Sequence, residues 1–400
     1  MHAQFRKALL ASAALAGLTF ASAAMADDVK VGVILGFTGP IESLTPDMAA
    51  SAELAMKEAS DSGLLLGGTT VTPVRADSTC VDAAAATAAA ERLITSDNVV
   101  AIVGADCSGV TTAIAESVAI PNGVVMVSPS ATSPALTTIA DNGYFFRTAP
   151  SDARQGEILA AVVMERGISN VAITYTNNDY GKGLADSFAA AFEALGGTVA
   201  ATAAHEDGKA DYSAEVAALA ASGAENLAVF GYVDQGGKGI IQTSLDTGAF
   251  SSFILGDGMI GQSLIDNIGD GLNGTIGTVP GSDSEGAANF DVYAKESGIE
   301  GDGPYRAESY DAAALILLAM QAAGSADRAA IQSKIMDVAN APGEPIGPGE
   351  LARGLQILAD GGEIDYVGAT NVELTDVGEA AGSYKELEVV DGAFNTVQVR

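Results

Sequence analysis

Histidine is almost missing from this chain: His2 and His205 are the only two, and tryptophan is absent altogether. A histidine-rich metal site is thereby excluded. A Ser-His-Asp or Cys-His relay would have to run through His205, which is expected at a strand end on the surface, and no GxSxG motif accompanies it. Two cysteines, Cys80 and Cys107, are too few for a disulfide scaffold and enough for one bridge. Cations are scarce too: 19 Lys and Arg face 51 Asp and Glu, a formal net charge of -32. Such a surface repels nucleic acid and anionic lipid, so neither is expected as a partner. Gly236-Gly237-Lys238-Gly239 lacks the spacing and the following Ser/Thr of a phosphate loop, and Gly32, Gly36 and Gly39 do not make GxGxxG. No cofactor, metal or catalytic residue is expected, and the chain does not read as an enzyme.

What is present begins with a leader. Arg6 and Lys7 precede an apolar run over 8–20, and Ala24-Met25-Ala26 supplies a small-x-small exit. These are the parts of a cleavable export signal, with cleavage expected near Ala26. The run is too short to span a bilayer, and no later segment is long and apolar enough to do so. Losing residues 1–26 removes Arg6 and Lys7 but no acid, which moves the formal net charge from -32 to -34. An exported protein is free to keep a disulfide.

Strand and helix signals then alternate. Strands are expected over 29–35, 70–75, 99–103, 124–127 and 144–147, with helices over 46–62, 83–94 and 111–119 between them. Ser151 and Asp152 cap the next helix, and the pattern restarts. Strands over 170–175, 198–204, 227–232, 253–255 and 274–279 alternate with helices over 183–195, 212–221 and 236–246. Helices near 286–297, 308–323 and 326–339 follow, 342–349 reads as a connector, and the tail from Ile364 alternates like antiparallel strands. Such alternation implies parallel sheets with right-handed crossovers. The expected fold is α/β, with two Rossmann-like lobes: 27–148 with 280–360, and 149–279 with 361–400.

In open α/β sheets ligands sit beyond the carboxyl ends of the strands. The loops there read Gly36-Phe37-Thr38-Gly39-Pro40, Gly104-Ala105-Asp106-Cys107-Ser108-Gly109 and Ser128-Pro129-Ser130-Ala131-Thr132-Ser133-Pro134. The second series supplies Asn177-Asn178-Asp179-Tyr180-Gly181-Lys182-Gly183, Gly231-Tyr232-Val233-Asp234-Gln235 and Gly256-Asp257-Gly258. Ser108 precedes a helix expected from Thr111, where free N–H groups favour a carboxylate or a phosphate. Read singly, Ser108 and Thr132 are helix caps, and Asp257 between glycines is a turn residue. Tyr180 packs under its loop, and Tyr305 and Tyr310 are core aromatics ahead of a helix.

Taken together, the two cysteines, the Ser128–Pro134 loop, Asp179-Tyr180-Gly181-Lys182-Gly183 and the acid between Gly256 and Gly258 resemble the leucine/isoleucine/valine-binding family of type I periplasmic binding proteins. The resemblance covers essentially the whole chain after the leader. It implies a periplasmic receptor that closes by a hinge over a free amino acid, branched-chain or small aliphatic, and hands it to the membrane permease of an ABC importer. It implies a Cys80–Cys107 disulfide beside the site, and a monomer is expected. By the same resemblance Ser108 and nearby amides hold the ligand carboxylate. Ser130, Ala131 and Thr132 form the loop that accepts from the ammonium, with Asp257 as counter-ion. Tyr180 and Tyr232 seal the pocket from the second lobe, and Tyr305 lines its side-chain end. The family often has Glu in place of Asp257 and an aromatic near Glu42-Ser43-Leu44-Thr45, so side-chain preference stays open. A receptor for another small carboxylate or an amide, serving sensing, is the alternative.

Overall fold

Val31, Val33, Ile34 and Leu35 are all fully buried, because the strand they form is covered on both faces, as parallel strands are. The computed structural model describes residues 28–400, so the expected leader over 1–26 lies outside the described residues. The first series is β1 (Asp28–Leu35), α1 (Thr45–Asp61), β2 (Thr70–Asp77), α2 (Ala83–Thr95), β3 (Ala101–Gly104), α3 (Ser108–Ile114), β4 (Val125–Ser128) and β5 (Phe145–Arg147). Its strands form one sheet in the order β2-β1-β3-β4-β5, every pair parallel. Only glycine fits at Gly104, with φ +124° and the Ile34 carbonyl oxygen 2.2 Å from where a Cβ would stand. That close approach sets the loop carrying Asp106 and Ser108 against the end of β1.

The second series is α4 (Asp152–Glu165), β6 (Asn170–Thr176), α5 (Asp179–Ala194), β7 (Thr198–His205), α6 (Ser213–Ala220), β8 (Asn226–Phe230), α7 (Gly236–Thr247), β9 (Ser252–Leu255), α8 (Gln262–Ile268) and β10 (Ile276–Pro280). The remainder is α9 (Glu285–Glu296), α10 (Arg306–Ala323), α11 (Arg328–Gln332), α12 (Ile335–Ala339), β11 (Glu344–Ile346), α13 (Leu351–Ala359), β12 (Ile364–Tyr366), β13 (Tyr384–Val390) and β14 (Ala393–Val399). A seven-stranded sheet runs β14-β13-β10-β9-β8-β6-β7, antiparallel only at β13 and β14. The two sheets, each built mainly of parallel strands linked by helices, are the two α/β lobes expected. Helix α10 is buried almost all round and packs on α1, β3 and β4, so the chain returns to the first sheet after β10.

Several boundaries differ from expectation. Residues 361–379, expected with the second lobe, stay beside the first sheet. There β12 pairs with β11, Tyr366 donates to Asp311 at 2.6 Å, and the Arg147 N–H donates to the Gly378 carbonyl at 3.0 Å. The tail joins the second sheet only at Tyr384. Helix α5 starts at Asp179, four residues early, because Asn178 Oδ1 caps it by accepting from the Gly181 N–H at 3.0 Å. Helix α3 starts at Ser108 instead of Thr111. The span 326–339 is two short helices, and α8 carried no recognised signal. His205 is not on the surface. It is 1% exposed under Gly231 and Gly236, its Nδ1 is 2.8 Å from Thr174 Oγ1, and burial pushes its pKa down to about 4.

Candidate functional site

Asp106 organises the floor. Wholly buried after β3, it accepts from the Gly36 N–H after β1, from Ser78 Oγ after β2 at 2.9 Å, and from the Cys107 N–H at 2.9 Å. Burial raises its pKa and these donors oppose the rise. The Cys80–Cys107 disulfide is formed alongside. The Ser128–Pro134 loop is held from both sides. The Ser133 N–H donates to Ser108 Oγ at 3.0 Å, Ser130 Oγ donates to the Asp106 carbonyl at 3.1 Å, and Arg147 Nη1 donates to the Ala131 and Ser133 carbonyls at 3.0 and 2.9 Å.

Opposite stands a carboxylate held by two phenols. Tyr180, in the first turn of α5, donates to Asp257 Oδ1 at 2.8 Å and accepts from the Gly258 N–H at 2.9 Å. Tyr305, at the start of α10, donates to Asp257 Oδ2, a contact that joins the first lobe's helix to the second lobe's loop. Tyr305 has φ +65°, a left-handed conformation that a bulky residue keeps only where its surroundings impose it. The Tyr232 ring stacks on Tyr180 with centroids 5.2 Å apart. Burial pushes all three phenols well above their ordinary pKa, so they remain neutral donors. Burial also raises Asp257, opposed by the bonds from Tyr305 and Tyr180.

These walls enclose one tight cavity between the lobes, with only about 20 Å³ in which a water-sized sphere can be centred; the atom-free space of about 350 Å³ around it includes open solvent. Ser108, Ser130, Tyr180, Tyr232, Asp257 and Tyr305 line it, six of the eight residues singled out from the sequence. Ala131 and Thr132 are fully buried and do not line it. Thr132 Oγ1 has no hydrogen-bond partner. The sequence reading missed Ile41 and Met48, which with Leu44 make an apolar wall, and Asp106 and Gly258. Asp106 and Gly258 stood in the loops quoted above; Ile41 and Met48 carried no signal beyond apolarity. Among the described residues no cluster of His, Cys, Asp and Glu is arranged to hold a metal ion.

Residues 28–354 match the family model described as periplasmic binding protein. The Leu/Ile/Val-binding protein homolog 3 of Brucella melitensis is 30% identical over 89% of this chain and 94% of its own. BasB of Halobacterium salinarum, a substrate-binding protein of a chemotactic signal transduction system, is 28% identical over 92% of this chain and 88% of its own. The crystal structure of the leucine binding protein LivK from Thermotoga maritima superposes with a TM-score of 0.76 at 26% identity, covering 93% of this chain and 98% of that one. This two-lobed chain, with its lined cleft, belongs to the periplasmic binding protein family on its leucine/isoleucine/valine-binding branch, a family of solute receptors and not of enzymes.

Proposed function

We propose that the cleft takes one free amino acid with a small aliphatic side chain, and that the receptor closes over it and delivers it to an ABC-transporter permease. The observation that carries this reading is Asp257, a buried carboxylate presented across the cleft by Tyr180 and Tyr305 and facing an apolar wall of Ile41, Leu44 and Met48. A zwitterion stripped of water needs a fixed partner at each end. Asp257 and the Thr132 hydroxyl would take the ammonium, and Ser108 with the amides around it the carboxylate. The side chain would lie against the apolar wall, with Tyr232 closing the top. Export by residues 1–26, residence in the periplasm and action as a monomer belong to the same proposal. So do lobes divided as 27–148 with 280–360 and 149–279 with 361–400, the second edge moved from 361 to Tyr384.

A thermal-shift screen of the leader-free protein against the common amino acids tests the ligand class, because a bound ligand raises the melting temperature by mass action. Asp257→Ala should cost about 2–5 kcal/mol of binding, the loss typical of an unpaired buried charge, while the unliganded protein melts as before. Retained affinity by calorimetry would remove Asp257 from the site. Likeness to BasB favours a second reading, in which the closed form reports to a signalling partner. Deaminated analogues that bind as tightly as the amino acids would point instead to another carboxylate or an amide as the ligand.

A further inference from the structure

A second cavity opens where the chain crosses between the lobes, after β10 and again ahead of β13. The two crossings run side by side: the Gly281 N–H donates to the Ser383 carbonyl at 3.0 Å, and Ser383 Oγ donates to the Gly281 carbonyl at 2.9 Å. The cavity holds about 350 Å³ in which a water-sized sphere can be centred, against about 20 Å³ in the cleft. That lies within the roughly 300–1,000 Å³ of small-ligand sites. Its lining and that of the cleft share only Tyr305, so the two are separate spaces. Both lobes contribute: α9 and the start of α10 from the first, β10, β13 and β14 from the second.

In a chain with only 19 Lys and Arg, three of them, Lys295, Arg306 and Lys385, line this one cavity. Arg306 is 6% exposed. Its Nε donates to the Gly303 carbonyl at 3.2 Å and its Nη2 pairs with Asp291 at 3.0 Å, while the buried Nη1 has no hydrogen-bond partner among the described residues. Native proteins seldom leave a buried donor so, and a guanidinium edge is the shape that a carboxylate pairs with. From the second lobe the Lys385 stem lies against Gly281, its carbons 3.0–3.3 Å from where a Cβ would stand there. Three acids share the lining. Asp291 is taken by Arg306, Asp302 is exposed, and burial pushes Glu308 up to about 7 against the pull of Lys385 and Arg306. The apolar part of the lining is Phe290, whose ring centroid is 5.8 Å from the Arg306 guanidinium carbon, with Leu387 and Phe394 from the second lobe's sheet.

We infer that this cavity is a second ligand site, for a small organic acid whose carboxylate pairs with Arg306 Nη1 and the Lys385 ammonium and whose apolar body lies on Phe290, Leu387 and Phe394. The site is independent of whatever solute the cleft takes. One cation comes from the first lobe and one from the second, so the carboxylate is held from both sides only in this arrangement of the lobes. Inorganic phosphate would meet the cations and leave the apolar faces uncovered. A neutral molecule of the same shape would forgo the charge-assisted bonds, which are the stronger kind.

Hexanoate, hexanamide and inorganic phosphate are the probes, titrated into the leader-free protein by calorimetry. Hexanoate should bind at a single site, about tenfold or more tighter than hexanamide or phosphate, and should still bind in excess leucine. Lys385→Gln, at a half-buried side chain, and Arg306→Gln should each weaken hexanoate about tenfold, the order of one lost bond to a charged group. Displacement of hexanoate by leucine would put it in the cleft and overturn the site. So would hexanamide or phosphate binding as tightly as hexanoate. Full hexanoate affinity in Lys385→Gln overturns it too, and that variant decides even where Arg306→Gln does not fold. No hexanoate binding at all also removes the site, and leaves the amino-acid reading of the cleft untouched.

Discussion

Arg147 is 1% exposed, and every N–H except that on Nε is committed to one loop and one carboxylate. Its Nη1 holds the Ala131 and Ser133 carbonyls, and Nη2 reaches Thr137 Oγ1 at 2.8 Å and pairs with Glu379. A planar guanidinium serves four acceptors at once, which an ammonium cannot. Arg147→Met should therefore destabilise the protein by about 3–5 kcal/mol, the cost of breaking a buried pair by removing one partner. Arg147→Lys should recover only part of that loss. Urea denaturation measures both, and a loss within about 0.5 kcal/mol, the size of an ordinary surface change, would mean the clamp is dispensable. Read from sequence, Arg147 is only the last residue of a short strand. Asp257 is a turn residue until Tyr180 and Tyr305 are seen to reach it from 77 and 48 residues away. Roles made by long-range partners leave no local mark: resemblance alone pointed to Asp257, and nothing pointed to Arg147. His205 failed for the same reason, because the neighbours that bury it come from other loops.

At the scale of elements, the two series of alternating strands and helices were legible because a doubly covered parallel strand is a continuous apolar run and its helices keep a 3.6-residue period. Boundaries slipped where a side chain decided them: Asn178 starts α5 early, so Tyr180 stands on the first helical turn and not in a loop. Short pieces such as β11, β12 and α8 exist by tertiary pairing more than by propensity. The disulfide acts at this scale too. It fastens the turn after β2, where Thr79 and Cys80 both have positive φ, to the residue ahead of α3, and so to the cleft lining at Cys107 and Ser108. With its ends 27 positions apart in the chain, a bridge of this size contributes roughly 3 kcal/mol in the chain-entropy account. The double variant Cys80→Ala/Cys107→Ala should lose about that much in urea denaturation and should bind ligand more weakly, because the loop carrying Asp106 and Ser108 would lose its covalent tie to the turn after β2 and keep only its hydrogen bonds to Gly36 and Ser78. Unchanged stability and affinity together would make the bridge incidental.

Across the whole molecule, the two lobes meet at the cleft and also at its rim. Asp234, after β8, donates its N–H to the Pro40 carbonyl at 3.0 Å, and its carboxylate accepts from the Ser43 N–H at 2.9 Å and from Ser263 Oγ at 2.6 Å. Ser43 Oγ and Ser263 Oγ are 3.3 Å apart beside it. None of these residues lines the ligand cavity, and Ser43 and Asp234 are 191 residues apart in the chain, so nothing in the sequence pairs them. Ser263 holds Asp234 within the second lobe, whereas the Pro40 and Ser43 contacts exist only while the lobes are together, and a contact made in one state alone biases the equilibrium toward that state. Asp234→Ala removes the one bond its carboxylate accepts across the lobes, from the Ser43 N–H, and frees Ser263 beside it, which at a partly solvated rim we put at about 1 kcal/mol. A receptor whose binding-competent state is less populated shows a proportionally weaker apparent affinity, so amino-acid binding should weaken about five- to tenfold. The unliganded melting temperature should stay nearly constant, because neither lobe's core is touched. Calorimetry and melting curves on Asp234→Ala and Ser263→Ala separate this from a folding defect. Full affinity in both variants would show that closure is driven from inside the cleft alone, by the Tyr305–Asp257 contact and the ligand.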